Sequence, residues 1–343
     1  KLALIKGADR AARAEGSALR QVRVIYRDLV QNVQMATSEG VLAEDTRVHT
    51  VGIVQAVAEG DGVVQTGSES VGGLRGFDIF DDEPLNEAAR KAAGLAVKLL
   101  GARRAPGGRM PVVISSHAGG TMIHEAIGHG LEGDLAGQGL SRFSGKVGEQ
   151  VASPLVTVVD DATLPGKRGS YGFDDEAVPS GRTVLVREGV LRAFMHDRLS
   201  AARTGMPLTG NGRRESYLQM PIPRMSNTLI VPGKDDPQKI LSATAEGLFV
   251  RKMGGGQVNT VNGDFVFDVM EGYLIKDGIL GELVRGATLT GNGPEVLMAI
   301  DMVGSDLGFS IGTCGKDSQG VPVSDAMPTL RIPCLVVGGA LSK

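Results

Sequence analysis

Tryptophan is absent from the 343 residues, and only four tyrosines and nine phenylalanines occur. A core with so few rings must be filled by aliphatic side chains. Two cysteines, Cys314 and Cys334, exclude a disulfide framework. They point to a reducing, cytoplasmic setting, where such a thiol is core, metal-bound or catalytic. No apolar run approaches the ~18–20 residues of a membrane helix, so no span is expected. The net charge is only −3 and no basic stretch tracks phosphates, which excludes nucleic acid as an expected partner. No secretory signal is read in these residues, and a start at Lys1 without Met is what a processed or truncated chain is expected to show.

What is abundant is glycine, with 50 residues and no Gly-x-y period. That excludes a helical bundle and predicts many turns and close backbone approaches. The pattern predicts an α+β protein of two domains. Residues 1–104 read as a mixed α/β domain. It has a helix over 9–21, a strand–turn–strand over 21–36, alternating strands over 47–59 and 62–69, and an amphipathic helix over 84–100. Residues 101–108 read as a linker. Residues 105–343 read as a β-rich, antiparallel, barrel-like domain, with strands over 110–115, 155–160, 182–186, 190–196, 264–275, 279–284 and 330–337. Gly-Asn-Gly turns are expected at 210–212 and 291–293. A single helix over 121–129 interrupts the strands.

That helix carries His124-Glu125-Ala126-Ile127-Gly128-His129, two of only five histidines. In the H-E-x-x-H pattern the histidines share a helix face and the glutamate is the general base. Here the spacing is one residue longer. On an ideal α-helix five residues turn through about 500°, leaving the rings roughly 140° apart and unable to share an ion. A one-residue π-bulge would swing them together, and Gly128 and Gly130 make such a distortion cheap. An irregular helix end is therefore expected at 127–130. A hydrolytic zinc site needs a third protein ligand. Glu132, Asp134, His117, His196, Cys314 and Cys334 are the candidates from the residues alone. Cys314 lies in a Gly-flanked loop beside Lys316, a setting that favours thiolate, whereas Cys334 reads as core.

Taken with Arg168 to Glu176, Thr209 to Tyr217, Pro223 to Thr228, Gly254 to Asn259, Arg285 to Thr288 and Gly312 to Lys316, the motif resembles the TldD/PmbA family of metallopeptidases, catalytic TldD-type subunit. The resemblance implies zinc on His124, His129 and Cys314, with Glu125 as base. It implies pairing with a PmbA-type (TldE) subunit, or a homo-oligomer, and cleavage of unfolded peptides, including leader peptides and an antitoxin. It makes the family's label as modulator of DNA gyrase an indirect effect. By the resemblance, roughly the first hundred family residues are expected before Lys1, so the first domain is expected to be partial. Ser324-Asp325-Ala326-Met327 departs from the family's usual Gly-containing stretch, with little effect expected on the metal.

The expected activity is zinc-dependent hydrolysis of extended peptides. Zinc polarises a water and the scissile carbonyl, and Glu125 takes and later returns the proton. Gly255, Gly256, Gln257 and Asn259 are candidates for substrate pairing by strand addition, against an ordinary hairpin turn. Arg213, Arg214 and Arg224 are candidates for a substrate carboxylate, against structural ion pairs. Glu132, Asp134, Asp174, Asp175 and Glu176 are candidates to orient the histidines, although the run 174–176 reads more simply as a solvated turn. The alternatives are a non-catalytic chamber subunit and a deformylase-like amide hydrolase.

Overall fold

The computed structural model describes residues 1–259 and 261–340. At the amino terminus, helices Leu2–Arg13 and Leu85–Leu100 pack on a three-stranded antiparallel sheet of Leu19–Ala36, Leu42–Gly60 and Val63–Gly73. The helices present Ala8, Ala12, Ala89, Ala92, Ala93 and Ala96, all buried, so the backbones lie close together. Gly67 marks the closest point, since a Cβ there would lie 2.0 Å from the Ala92 carbonyl oxygen.

The first expected helix is displaced. Residues 9–21 were read from their Ala, Arg and Leu content, but the helix spans Leu2–Arg13 and the strand begins at Leu19. The expected turn within 21–36 does not exist. One 18-residue strand pairs almost residue for residue with Leu42–Gly60, and no Gly or Pro breaks its alternation.

In the second half, five strands close into a barrel. Around the ring they run Glu246–Val258, Gly108–Ile114, Leu330–Gly338, Thr288–Asn292 and Asp264–Lys276, which pairs back to Glu246–Val258. All pairings are antiparallel except Glu246–Val258 with Gly108–Ile114. Beside the barrel lies a six-stranded sheet in the order Gly308–Lys316, Gln319–Met327, Asn227–Ile230, Val158–Asp161, Arg182–Arg187, Val190–Leu191. Of the expected strand 190–196 these two residues join the sheet, and Met195 makes a separate parallel bridge to Glu132. Within the expected linker, Arg103–Arg104 pairs with Val284 and Arg285. Gly291-Asn292-Gly293 is not a turn but the junction of a barrel strand with helix Gly293–Ala299.

The stretch Thr121–Leu131 is wedged between barrel and sheet. Met122, Ile123, Ile127 and Leu131 enter the main core. A Cβ on Gly128 would lie 2.2 Å from the Met225 sulfur on the sheet side, and one on Gly293 would lie 2.5 Å from the Ala126 carbonyl oxygen on the barrel side. The Gly293 contact is with backbone and requires glycine, whereas a larger residue at 128 would have to displace the Met225 side chain.

The amino-terminal sheet meets the second half over a cationic patch. Arg47 pairs with Asp45 at 3.1 Å and Asp175 at 2.8 Å. The neighbouring His49 is buried. Burial, with the guanidiniums of Arg168, Arg213 and Arg47, pushes its pKa down to about 4. The unfolded chain therefore binds more protons between pH 6.5 and 4, so stability present above pH 6.5 is lost as pH falls through that window. Urea titrations should show a loss on the order of 2–3 kcal/mol from this group, and His49→Gln should flatten that part of the profile. An identical profile in the variant contradicts the assignment. Gly67→Ala should lower stability by about 1–3 kcal/mol through the clash with Ala92, read as a fall in the thermal midpoint.

Candidate metal centre

The helix that begins at Thr121 changes pitch at the motif. Residues His124–Gly128 form a π turn and His129–Leu131 a 3-10 turn. The irregularity begins three residues earlier than 127–130, on the first histidine itself. The wider π turn adds the residue that an α-helix would place out of phase, so the rings converge. Their centroids lie 5.0 Å apart at an interplanar angle of 88°.

Cys314 reaches them from the sheet. It lies on the strand Gly308–Lys316, whose hairpin partner is Gln319–Met327. Its sulfur is 3.6 Å from His129 Nε2. One ligand atom from each of His124, His129 and Cys314 lies within 4.8 Å of the other two. Three other candidate ligands are not part of this group. His117 is exposed, His196 is buried with Nδ1 3.0 Å from the Ser200 hydroxyl, and Cys334 is exposed on its strand rather than in the core.

Each histidine is turned by a carboxylate. Asp325 Oδ1 lies 2.8 Å from His124 Nδ1, and Glu132 Oε2 lies 3.2 Å from His129 Nδ1. If each ring donates from Nδ1, its Nε2 lone pair is left for a cation. Asp325 belongs to the stretch Ser324–Met327, from which little influence on the metal was expected. It sits on the hairpin that also brings Cys314, and its side chain crosses to the helix. Glu132 is fully buried, and burial works against its charge. His129 and Lys316 outweigh that and lower its pKa. Lys316 Nζ lies 3.0 Å from Glu132 and 2.8 Å from Asp134. Asp134 thus serves the lysine rather than a histidine.

Burial pushes the Cys314 thiol up, but hydrogen bonds and charge from His124 and His129 bring it down to about 6. The donor set fits a divalent ion of zinc type: a thiolate-prone sulfur and two oriented imidazoles on one small locus, walled by apolar side chains. Glu125 lies on the same turn, half-buried, and no described residue hydrogen-bonds to its carboxylate.

The hairpin is held from beneath by two buried arginines. Arg224 donates to the Cys314 and Gln319 carbonyls, and Arg213 to the Met225 and Pro322 carbonyls. Arg213 and Arg224 are thus neither solvated nor in ion pairs, and Arg214 donates to the Gln219 carbonyl at 3.5 Å. Asp174, expected on a solvated turn, is buried and accepts from the amides of Glu176, Val178 and Gly212. Burial raises its pKa to about 6, with those amides pulling the other way. Asp175 binds Arg47, and Glu176 accepts from the Arg198 amide. None of the three orients a histidine. Gly255, Gly256 and Gln257 are exposed near the tip of the barrel hairpin, and the Asn259 side chain accepts from the amides of Val261 and Asn262, as a turn residue does. A Cβ on Gly256 would meet the Phe267 ring at 1.9 Å.

Residues 107–339 match the PmbA/TldA metallopeptidase C-terminal domain, and residues 1–100 match the central domain of the same peptidases. The chain is 40% identical over 346 residues to a metalloprotease TldD homolog of Haemophilus influenzae, covering 99% of this chain and 72% of that one. It is 41% identical over 313 residues to a metalloprotease of Methanocaldococcus jannaschii, covering 91% and 69%. Among solved structures, a putative modulator of a DNA gyrase from Thermotoga maritima aligns with a TM-score of 0.82 at 24% identity, over 98% of this chain and 74% of that one. TldE from Thermococcus kodakarensis aligns at 0.73 and 20% identity, over 97% and 72%. With its fold, both domain matches and these relatives in agreement, the chain belongs to the PmbA/TldD family of metallopeptidases.

Proposed function

We propose that the chain hydrolyses peptide bonds in extended, unfolded peptides with a zinc ion held by His124, His129 and Cys314. The observation that carries this reading is the convergence of those three side chains beside a carboxylate, Glu125, that has no other partner among the described residues. A bound divalent ion supplies Lewis-acid polarisation of a carbonyl and eases ionisation of water. The rest falls to the chain's own residues. Glu125 takes a proton from the attacking water at its carboxylate and returns it to the leaving amine. Asp325 and Glu132 hold the two rings in one orientation and tautomer, and Lys316 keeps Glu132 ionised.

Substrate would be held chiefly by its main chain. Among the described residues the strand Gly308–Lys316 pairs only with Gln319–Met327, at the edge of its sheet, and the segment from Gly254 to Val258 only with Asp264–Lys276. Each leaves a row of backbone groups for strand addition, which suits varied unfolded peptides. Arg213 acts as a brace for the cysteine hairpin. The partner in this reading is a TldE-type subunit, in keeping with the shared fold of TldE from Thermococcus kodakarensis. Among the described residues no helix is long and apolar enough to cross a membrane.

Glu125→Gln should lower peptide hydrolysis at least about 100-fold while metal analysis finds the wild-type zinc content. Loss of zinc together with activity would make Glu125 a structural or ligand residue instead. Asp325→Asn should weaken zinc affinity about 10–100-fold in a chelator competition, with the thermal midpoint of the metal-free protein nearly kept. Equal zinc affinity in the variant would remove Asp325 from the metal site.

A further inference from the structure

A cleft of about 760 Å³ lies between the amino-terminal sheet and the free-edge strand Gly308–Lys316. Its wall on the strand side is Ile311, Gly312 and Thr313, the residues immediately before Cys314. Side chains alternate along a strand. Ile311 and Thr313 therefore line this cleft, while Cys314 points from the other face towards His129. A peptide paired with that edge would direct every second side chain, or its chain end, into the cleft.

The cleft is cationic and incompletely neutralised. Arg168 lines it half-buried. Its Nε donates to the Gly312 carbonyl at 3.2 Å, and no carboxylate among the described residues pairs with its guanidinium. Burial, Arg213 and Arg27 hold its pKa below the usual guanidinium value. The buried His49 shares the wall, and Arg168, Arg213 and Arg47 help to keep it neutral against the weaker pull of Asp45. Its Nδ1 has no partner among the described residues. The one acid on the wall, Asp28, is engaged by Lys1. An arginine with unspent donors in a part-desolvated cleft is a receptor for a planar anion, and carboxylate is the matching group on a peptide.

We propose that Arg168 is a specificity-determining residue that binds a carboxylate of the peptide, from its C-terminus or from an acidic side chain, in the cleft beside the Cys314 strand. The inference rests on the peptidase reading above, so its test reads binding and not turnover. Zinc-loaded chain carrying Glu125→Gln is titrated by fluorescence anisotropy with labelled unfolded peptides of one sequence in three forms. One has a free C-terminal carboxylate, one is C-terminally amidated, and one is amidated with each Glu replaced by Gln.

The expected result is about tenfold tighter binding of carboxylate-bearing peptides over the fully neutralised one, the size of one charge-assisted contact. The step at which affinity drops identifies the source. A drop on amidation assigns the C-terminus, and a drop on Glu→Gln replacement assigns a side chain. Arg168→Gln should bring the ratio close to one, and Arg168→Lys should restore part of it. A ratio near one in the parent protein overturns the inference. So does an Arg168→Gln variant that binds all three peptides more weakly by the same factor, which would make Arg168 only a brace for Gly312. If the parent discriminates between peptides and the variant does not, but the Glu125 enzyme cleaves none of them, the subsite stands and the peptidase reading falls.

Discussion

The centre depends on a single backbone constraint: two imidazoles five residues apart must share one face. An α-helix cannot do this, because five steps overshoot a turn by well over a third. The π turn His124–Gly128 absorbs the extra residue. Its wider bore is tolerated because the segment is gripped on both sides. Met225 fills the space over Gly128, and Gly293 lets the barrel close on Ala126. Widened helical turns persist where surrounding packing fixes them. Here that packing comes from the barrel and the sheet together, so the convergence of the two rings is a product of the whole carboxy-terminal domain.

The sheet contributes the sulfur and one orienting carboxylate from a single hairpin. Cys314 and Asp325 lie on its two strands, and both aim at the helix. A displacement of the hairpin would thus disturb the Cys314 sulfur and the orientation of the His124 ring at once. That explains the investment of two buried arginines in its carbonyls. A buried guanidinium is costly unless its donors are used; Arg224 spends both terminal nitrogens on the Cys314 and Gln319 carbonyls beside the hairpin turn, and Arg213 bridges Pro322 of the hairpin to the Met225 carbonyl. The chain Asp134–Lys316–Glu132–His129 gives the second ring a comparable anchor.

Much of this was legible in the residues, and the failures have definite causes. The spacing of His124 and His129 announced a distorted helix because the geometry of an α-helix is fixed. The strand-rich second half followed from glycine punctuation and alternation. The place of Cys314 beside the two imidazoles was open from the residues alone and entered by family resemblance, since a partner that arrives across the fold leaves no local pattern. Asp325 was missed for the same reason. It reads as one polar residue in a strand, and only the register that sets it opposite Ser310 turns it towards His124. Arg213, Arg224 and Asp174 were misjudged by the usual exposure of charged side chains. Each is buried against backbone groups: Asp174 accepts from three amides, and Arg213 and Arg224 donate to carbonyls through their terminal nitrogens, with Arg224 Nε left without a partner among the described residues. The helix at the amino terminus was displaced because composition gives helix tendency but not phase, and the sheet claims the residues from Leu19 onward.

Anomalous diffraction at the absorption edge of the bound metal, from crystals of the zinc-loaded chain, tests the account most directly. The account predicts one strong peak within bonding distance of His124, His129 and Cys314, with Glu125 close by but outside the ligand sphere. A peak elsewhere, or one bound by the two imidazoles with the Cys314 sulfur out of reach, would contradict it.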